Sequence, residues 1–554
     1  MRRLLIFGLL SLVLADSRAS SSAFAQGAGR VMVSRPDPPR LVVLLVVDQF
    51  RADYAELYGR QWTHGLARLF GSGAVFPLAA YPYAHTVTCP GHATIGTGTF
   101  PRTHGMIANS WYDPSLKRAA LCTNDPAVTS VPFGGGPGAE HHSGRALQSP
   151  TLIDELRIQL PRLPRVVAMS LKPRAAIGLA GRGGPGTMVL WEEDNGTWAT
   201  SDAYTKTPWP EIDEYIQAHP ISVAYGQVWT RLLPENAYLF ADDAPGENPP
   251  RPWKRTFPHV LESPTGKPDN TFVTSWETSP WSDAYLTDMA IALESKLRLG
   301  QDPGTDVLAL SYSALDLVGH DFGPHSHEVQ DVLARLDVSI GKLLDSFDHT
   351  VGAGKYVVAF AADHGVAPLP EQVAVLGVSA GRVSTAGLQQ ATQAILTKLL
   401  GEGAYYAGFA ESNIYLTPGT FNVLRARPGA IDEVKAALLA VPGIAYVYGQ
   451  DELASTAATD DDMLRASRLS YYPGRSGEFV VIPKPYWIMG GAGANHGSPY
   501  GYDRDVPLLF YGDGIKAGRY LESASPADIA PTLAALVGIK LAHTDGHVLV
   551  DALK

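Results

Sequence analysis

Three carboxylates and three histidines of this 554-residue chain stand directly after apolar runs or inside a glycine-rich loop. Asp48 ends the run Leu41–Val47. Asp316 and His320 follow Val307–Tyr312, Asp363 and His364 follow Tyr356–Ala361, and His496 lies in Gly490-Gly-Ala-Gly-Ala-Asn-His. Taken singly, an Asp after a strand is a turn or helix cap, and a loop His is incidental. Taken together they make a donor set. Imidazole and carboxylate without thiolate suit zinc at a catalytic site, with iron and manganese as rivals. Six ligands exceed one tetrahedral ion. They suit two ions roughly 3.5–4 Å apart, as in two-metal phosphoryl transfer.

A nucleophile is available in His85-Thr86-Val87-Thr88-Cys89-Pro90-Gly91-His92-Ala93-Thr94, where an extended run turns into an expected helix. Thr88 would ordinarily be an N-cap, with Pro90 in the first turn. A helix N-terminus also receives anions, and a neighbouring metal would lower the hydroxyl pKa. Thr86 and Thr94 compete for this role on sequence alone. Lys172-Pro173-Arg174 supplies cations: Pro173 favours an extended Lys172, and in extended chain residues two apart face the same way. Lys172 and Arg174 can then meet one anion, the bland alternative being a solvated basic turn. His141, His142, His325 and His327 lie in polar loops and read as solvated surface residues.

The elements that must position these groups are short runs of branched apolar residues alternating with helical patterns. The runs are Leu41–Val47, Arg165–Leu171, Val307–Tyr312, Tyr356–Ala361 and Pro507–Tyr511. The helical patterns are Thr151–Leu160, Ser282–Leu297, Glu328–Phe347 and Pro526–Leu536. This alternation predicts an α/β fold with a central, mostly parallel sheet sandwiched by helices. In such sheets functional groups collect at the carboxyl ends of the strands. Pro126–Pro150 reads as a loop. Two stretches break the rhythm and read as inserted cap or side lobes, at about 185–280 and 370–490. The second carries Ile431–Leu439, Ile444–Tyr448 and Tyr471–Ile482.

Composition is globular, 45% hydrophobic and 18% charged. A net charge of −11 argues against specific nucleic-acid binding, and an anionic substrate would need a local cationic site. Residues 1–25 read as a signal peptide, with Arg2 and Arg3, an apolar Leu4–Leu14 stretch and Ala23-Phe24-Ala25 as the cleavage signal. Residues 26–39 read as a flexible leader and 40–554 as the catalytic domain. The expected location is periplasmic or secreted, with no membrane span. The only cysteines, Cys89 and Cys122, are then expected to pair as a disulfide.

The ordered set Val-Asp48-Gln, Thr88-Cys-Pro-Gly-His, Asn109, Lys172-x-Arg174, Asp316-x-x-x-His320, Asp363-His364-Gly and Asn-His496-Gly resembles the PafA/PhoK-type monomeric alkaline phosphatases, from about residue 40 to 550. The resemblance implies two zinc ions. Asp316, His320 and His496 would hold one; Asp48, Asp363, His364 and the Thr88 oxygen would hold the other. It implies that Thr88 becomes phosphorylated and that Asn109, Lys172 and Arg174 bind phosphoryl oxygens of small phosphate monoesters. It also implies a monomer. An additional structural Ca2+ is compatible with the chain, but no residue pattern places one. The enzymatic rival is a nucleotide pyrophosphatase/phosphodiesterase of the same fold, against which Lys172 and Arg174 fit the extra charge of a monoester. A non-catalytic zinc- or phosphate-binding protein is the rival from another class, against which the intact Thr88 and donor set argue.

Overall fold

The computed structural model describes residues 37–136 and 138–554. The expected signal peptide, and the leader up to residue 36, lie outside the described residues. Leu41–Val47 is buried along its whole length. Leu41, Val43, Leu45 and Val47 pack into one hydrophobic cluster, and Val42, Leu44 and Val46 into another. A strand whose alternate side chains are both apolar must be covered on both faces. On one face lie the helices Gly65–Ser72, Pro280–Lys296 and His327–Phe347. On the other lie Leu152–Gln159, Pro173–Ala180 and Ile529–Val537.

The central sheet has ten strands among the described residues. Its middle is parallel: Tyr356–Ala361, Leu41–Val47, Asp306–Tyr312, Val166–Ser170 and Thr187–Glu193, side by side in that order. The fifth expected run, Pro507–Tyr511, forms the strand Leu508–Gly512, which joins Tyr356–Ala361 antiparallel where a parallel strand is expected. The register sets the height of everything that follows. Val47 pairs with Tyr312, Val46 with Ala361, and Ser170 with Ser311. Continued by one or two residues, it brings Asp48, Asp363 and Lys172 to the same level of the sheet.

Three boundaries differ from the sequence reading. The stretch expected to begin an insertion near 185 opens with Thr187–Glu193 and Thr197–Ser201, both strands of the central sheet. Their burial against the core overrides the weak local pattern. The expected loop 126–150 contributes Ser130–Pro132, which pairs with Thr197–Ser201 at the sheet edge. In the second stretch, the expected run Tyr471–Ile482 contains a turn at 473–475 and is regular strand only from Phe479, in Phe479–Pro483, and a helix, Asp462–Ser470, precedes it. Phe479–Pro483 belongs to a separate four-stranded antiparallel sheet with Tyr406–Ala410, Asn413–Leu416 and Ile444–Gly449. That sheet and the helices Thr385–Leu400 and Ala430–Leu439 share a hydrophobic cluster of their own. Among the described residues no helix is long and apolar enough to cross a membrane.

The helix Thr88–Thr97 crosses Pro173–Ala180 at glycines. A Cβ on Gly96 would lie 2.3 Å from the Gly178 carbonyl oxygen, and one on Gly178 would lie 2.8 Å from the His92 Cβ. The helix that begins at Thr88 and the helix that follows Lys172 are therefore locked at backbone contact. Gly96→Ala or Gly178→Ala should destabilise by about 1–3 kcal/mol through overpacking. Gly71→Ala, in a helix with nothing within 4 Å of the new Cβ, should be neutral or stabilising by up to about 1 kcal/mol. Thermal melting of the three variants checks this; equal melting temperatures would refute the tight crossing.

Candidate active site

Strand ends, one helix start and one loop deliver the site. Asp48 leaves its strand with its backbone N–H bonded to the Tyr312 carbonyl at 3.0 Å. Asp316 and His320 share a face of the helix Ala314–Phe322, four residues apart. Asp363 and His364 follow Tyr356–Ala361 at once. All of these except His320 are buried.

Each of the three histidines bonds a backbone carbonyl through Nδ1: His320 to Ala494 at 2.9 Å, His364 to Gly365 at 2.9 Å and His496 to Thr86 at 3.0 Å. A carbonyl only accepts, so Nδ1 carries the proton. In the neutral ring this leaves a lone pair on Nε2. Those Nε2 atoms face carboxylate oxygens. His364 lies 3.3 Å from Asp48 Oδ1 and 3.3 Å from Asp363 Oδ2. His320 and His496 lie 3.3 and 3.6 Å from Asp316 Oδ1. Burial pushes the His364 and His496 pKa values down, His496 strongly, with the neighbouring histidine charges adding to the burial at His496. At His320 burial opposes protonation but Asp316 outweighs it, and the pKa rises.

Lone pairs facing buried carboxylates call for cations. The donor atoms of Asp316, His320 and His496 lie within 4.8 Å of one another, as do those of Asp48, Asp316 and His364. Asp48 Oδ1 and Asp363 Oδ2 are buried without a hydrogen-bond partner. Nitrogen and oxygen donors with unspent lone pairs fit divalent metal. Asp316 reaches both groups, where the sequence reading places it in one.

Lys172 differs from its expected setting. It is the extended residue before the helix Pro173–Ala180, and Arg174 is already helical, so the two-residue extended alternation stops at Pro173. The Lys172 ammonium bonds Asp48 Oδ2 at 2.6 Å and also Asp316 Oδ2. Burial lowers its pKa, but Asp316 and Asp48 outweigh that and raise it. The Asp48 carboxyl is driven well up, by burial first and then by Asp316 and Asp363. Arg174 is half-buried, its Nε without a partner.

The three threonines separate by their bonds. The Thr86 hydroxyl donates to the Ser498 carbonyl at 2.8 Å. Thr94 Oγ1 is bonded to the Tyr83 hydroxyl and His104 Nε2 at 3.1 and 3.2 Å. Thr88 is the first helical residue, with Val87 as the N-cap, and its Oγ1 lies 3.5 Å from His364 Nε2. Its hydroxyl is not used for capping. Cys89, next to it, is disulfide-bonded to Cys122. Asn109 accepts the Cys89 N–H on Oδ1 at 2.8 Å, which leaves its Nδ2 hydrogens as donors.

Residues outside the expected set also hold the site. Gln49, at φ 67°, donates its side-chain amide to Asp316 Oδ1 at 2.6 Å and its backbone N–H to Asp363 Oδ1 at 3.1 Å. His92, four residues after Thr88, bonds the Thr88 carbonyl at 2.9 Å and lies 3.2 Å from Asp363 Oδ2. Both stand in the motifs that carry the resemblance, Val-Asp48-Gln and Thr88-Cys-Pro-Gly-His, where neither has an expected role. Glu411, from the lobe, accepts the Asn109 N–H at 2.8 Å, and burial pushes its pKa up to about 7; no local pattern marks it. Of the four loop histidines, His141 is exposed and His325 half-buried. His142 and His327 are buried, hydrogen-bonded to Thr123 and to the Phe240 carbonyl. His142 also bonds Glu140, two residues away, and His327, 87 residues from Phe240, opens the helix His327–Phe347; polarity of the surrounding sequence reveals neither setting.

A cavity of about 200 Å³ over the site is lined by Asn109, His320, His496, Glu411, Trp487 and Tyr502. A larger one, about 750 Å³, is lined by Arg51, His325, Tyr486 and Tyr500 and touches none of the expected ligands.

Against known proteins, residues 42–501 match the family model described as type I phosphodiesterase / nucleotide pyrophosphatase. The alkaline phosphatase PafA of Elizabethkingia meningoseptica is 30% identical over 522 residues, 91% of this chain and 92% of that protein. The alkaline phosphatase PhoK of Sphingomonas sp is 31% identical over 543 residues, 92% of this chain and 91% of that protein. The crystal structure of wild-type PafA superposes with a TM-score of 0.84 at 29% identity, covering 94% of this chain and 100% of that one.

Lys172 is the cation between Asp48 and Asp316. Lys172→Ala should therefore destabilise chelator-treated protein by about 3–5 kcal/mol, the loss for a broken buried pair, and metal-loaded protein by clearly less. Melting curves of both forms read this. An equal drop would mean the ion pairs do not hold the site together.

Proposed function

As a member of the type I phosphodiesterase/nucleotide pyrophosphatase family, and within it of the PafA/PhoK-type alkaline phosphatases, this chain hydrolyses phosphate esters, and we propose that it acts on small monoesters through a phospho-threonine at Thr88, with two bound zinc ions. The observation that carries the reading is the facing of three Nδ1-protonated histidines and three buried carboxylates beside a Thr88 hydroxyl held only by a long 3.5 Å contact to His364 Nε2. Asp316, His320 and His496 would hold one zinc, and Asp48, Asp363, His364 and the Thr88 oxygen the other. Bound there, zinc supplies Lewis acidity, lowering the threonine pKa and neutralising phosphoryl charge.

Thr88 Oγ attacks phosphorus, the ester P–O bond breaks, and the hydroxyl proton ends on the departing alcohol. Water then attacks the phospho-threonine, releasing phosphate and restoring the hydroxyl. The helix Thr88–Thr97 turns its positive end towards the phosphoryl group. Asn109 offers its Nδ2 donors, and Arg174 a planar fork. With Asp48 and Asp316 serving as ligands, the Lys172 ammonium becomes available to a phosphoryl oxygen. Export to the periplasm or medium and a monomeric state complete the proposal.

Metal analysis of active protein should give about two zincs per chain, and verified chelation should abolish turnover; full activity without metal would sink the reading. Acid-quenched wild type should yield a phospho-threonine by mass spectrometry. Thr88→Ala should yield none and lose at least about a thousandfold in kcat/KM. Near-normal turnover of that variant would point to direct attack by water.

Substrate choice gives a separate test. A monoester presents more negative charge to Lys172 and Arg174 than a diester. Each lost charge-assisted bond should cost about 2–4 kcal/mol of transition-state stabilisation. Lys172→Ala and Arg174→Ala should therefore depress kcat/KM for a nitrophenyl monoester far more than for the matching diester, and act non-additively. Equal losses would favour the nucleotide pyrophosphatase/phosphodiesterase alternative.

A further inference from the structure

Asn109 is held by three separate chain segments. Its side-chain oxygen accepts the Cys89 N–H at 2.8 Å. Its carbonyl accepts the Cys122 N–H at 2.9 Å. These two donors belong to the disulfide-linked residues, so one covalent bond ties both grips together. The third grip comes from the lobe: the Asn109 N–H donates to Glu411 Oε1 at 2.8 Å, and the Ser110 N–H acts on the same carboxylate electrostatically.

Glu411 is built for this contact and little else. It occupies the turn between Tyr406–Ala410 and Asn413–Leu416 at φ 55°, a left-handed conformation uncommon outside glycine. Its other oxygen, Oε2, is buried with no hydrogen-bond partner. Arg174 acts on the same carboxylate electrostatically, and Glu411 lines the cavity over the site with Asn109, His320 and His496. A surface tie between lobe and body would need neither the burial nor the left-handed backbone.

We propose that Glu411 is a positioning residue for phosphoryl transfer: it fixes the backbone of Asn109, and through it the amide donors that meet the phosphoryl group. The lobe is then a working part of the site, not an appendage. This rests on the reading of Asn109 as a phosphoryl donor. The Asn109 N–H, directly before the strand Ser110–Asp113, is held by this one acceptor from the lobe, which sets where the Asn109 side chain stands. Misplacing such a donor by about 1 Å is enough for a large rate loss.

The test is a double-mutant cycle on kcat/KM for a nitrophenyl monoester, with inorganic phosphate as a competitive probe of binding. Glu411→Gln keeps a side-chain oxygen acceptor and should stay within about threefold of wild type. Glu411→Asp withdraws the acceptor by one methylene while preserving the charge. It and Glu411→Ala should each lose about tenfold or more, with inorganic phosphate inhibiting correspondingly less well. In an Asn109→Ala background the Glu411→Ala loss should shrink below about threefold, because the two residues act as one unit. The inference is overturned if Glu411→Asp and Glu411→Ala match wild type, or if their full loss persists without the Asn109 side chain, as a purely structural role would give. An inert Asn109→Ala would remove the reading of Asn109 itself, and this inference with it.

Discussion

Asp48, Asp316 and Asp363 leave water together at the carboxyl end of the parallel strands of the central sheet, and their mutual repulsion is the constraint around which the site is arranged. Bringing like charges into a low-dielectric site is expensive unless compensating charge is present. The Asp48 carboxyl, driven well above its usual pKa by burial and by its two neighbours, records that cost. Lys172 reaches two of the three carboxylates. The histidines add no protons where their Nε2 atoms carry lone pairs. Positive charge from bound metal is the compensation that fits the donor chemistry, and the same charge suits a site for a phosphate ester in a chain of net charge −11.

The carboxylates are placed by register, and the histidines by carbonyls. Adjacent parallel strands held residue for residue bring Asp48, Asp363 and Lys172 to one height. Each imidazole is turned by a backbone carbonyl on its far nitrogen, which fixes both its tautomer and its rotation. Gln49 and His92 then brace the carboxylates. A Cβ on Gly319 would fall 1.9 Å from the Gln49 side-chain oxygen, and one on Gly91 2.3 Å from the Asp363 carbonyl. The absence of side chains at these two positions is what lets Gln49 and Asp363 approach so closely.

Around this centre the groups proposed to face the phosphoryl group come from separate segments that are fastened to each other. The Thr88 helix and the Lys172–Arg174 helix meet at glycine contact. The disulfide links the first turn of the Thr88 helix to the hairpin that begins after Asn109. The lobe, though it has its own sheet and core, sends Glu411 back to Asn109. Thr88, Asn109, Lys172 and Arg174 are thereby restrained relative to one another by contacts outside the central sheet.

Much of this was legible in the sequence. Runs apolar at every position, as in Leu41–Val47, suit a strand covered on both faces, and alternation with helical patterns favours a mostly parallel sheet, so the acids and histidines that follow them gather at one end of the strands. Hence the fold class and the six donor residues were readable as a set. Short local periodicity could not show that 187–201 completes the sheet, since that segment is strand by virtue of its neighbours. Nor could it choose among Thr86, Thr88 and Thr94, because the choice lies in which hydroxyl is already bonded to Ser498, Tyr83 or His104. The bridging position of Lys172 and the grip of Glu411 on a residue 302 positions away are likewise decisions of tertiary structure. Hydrogen bonds and buried charges depend on distance in space, and sequence records only distance along the chain.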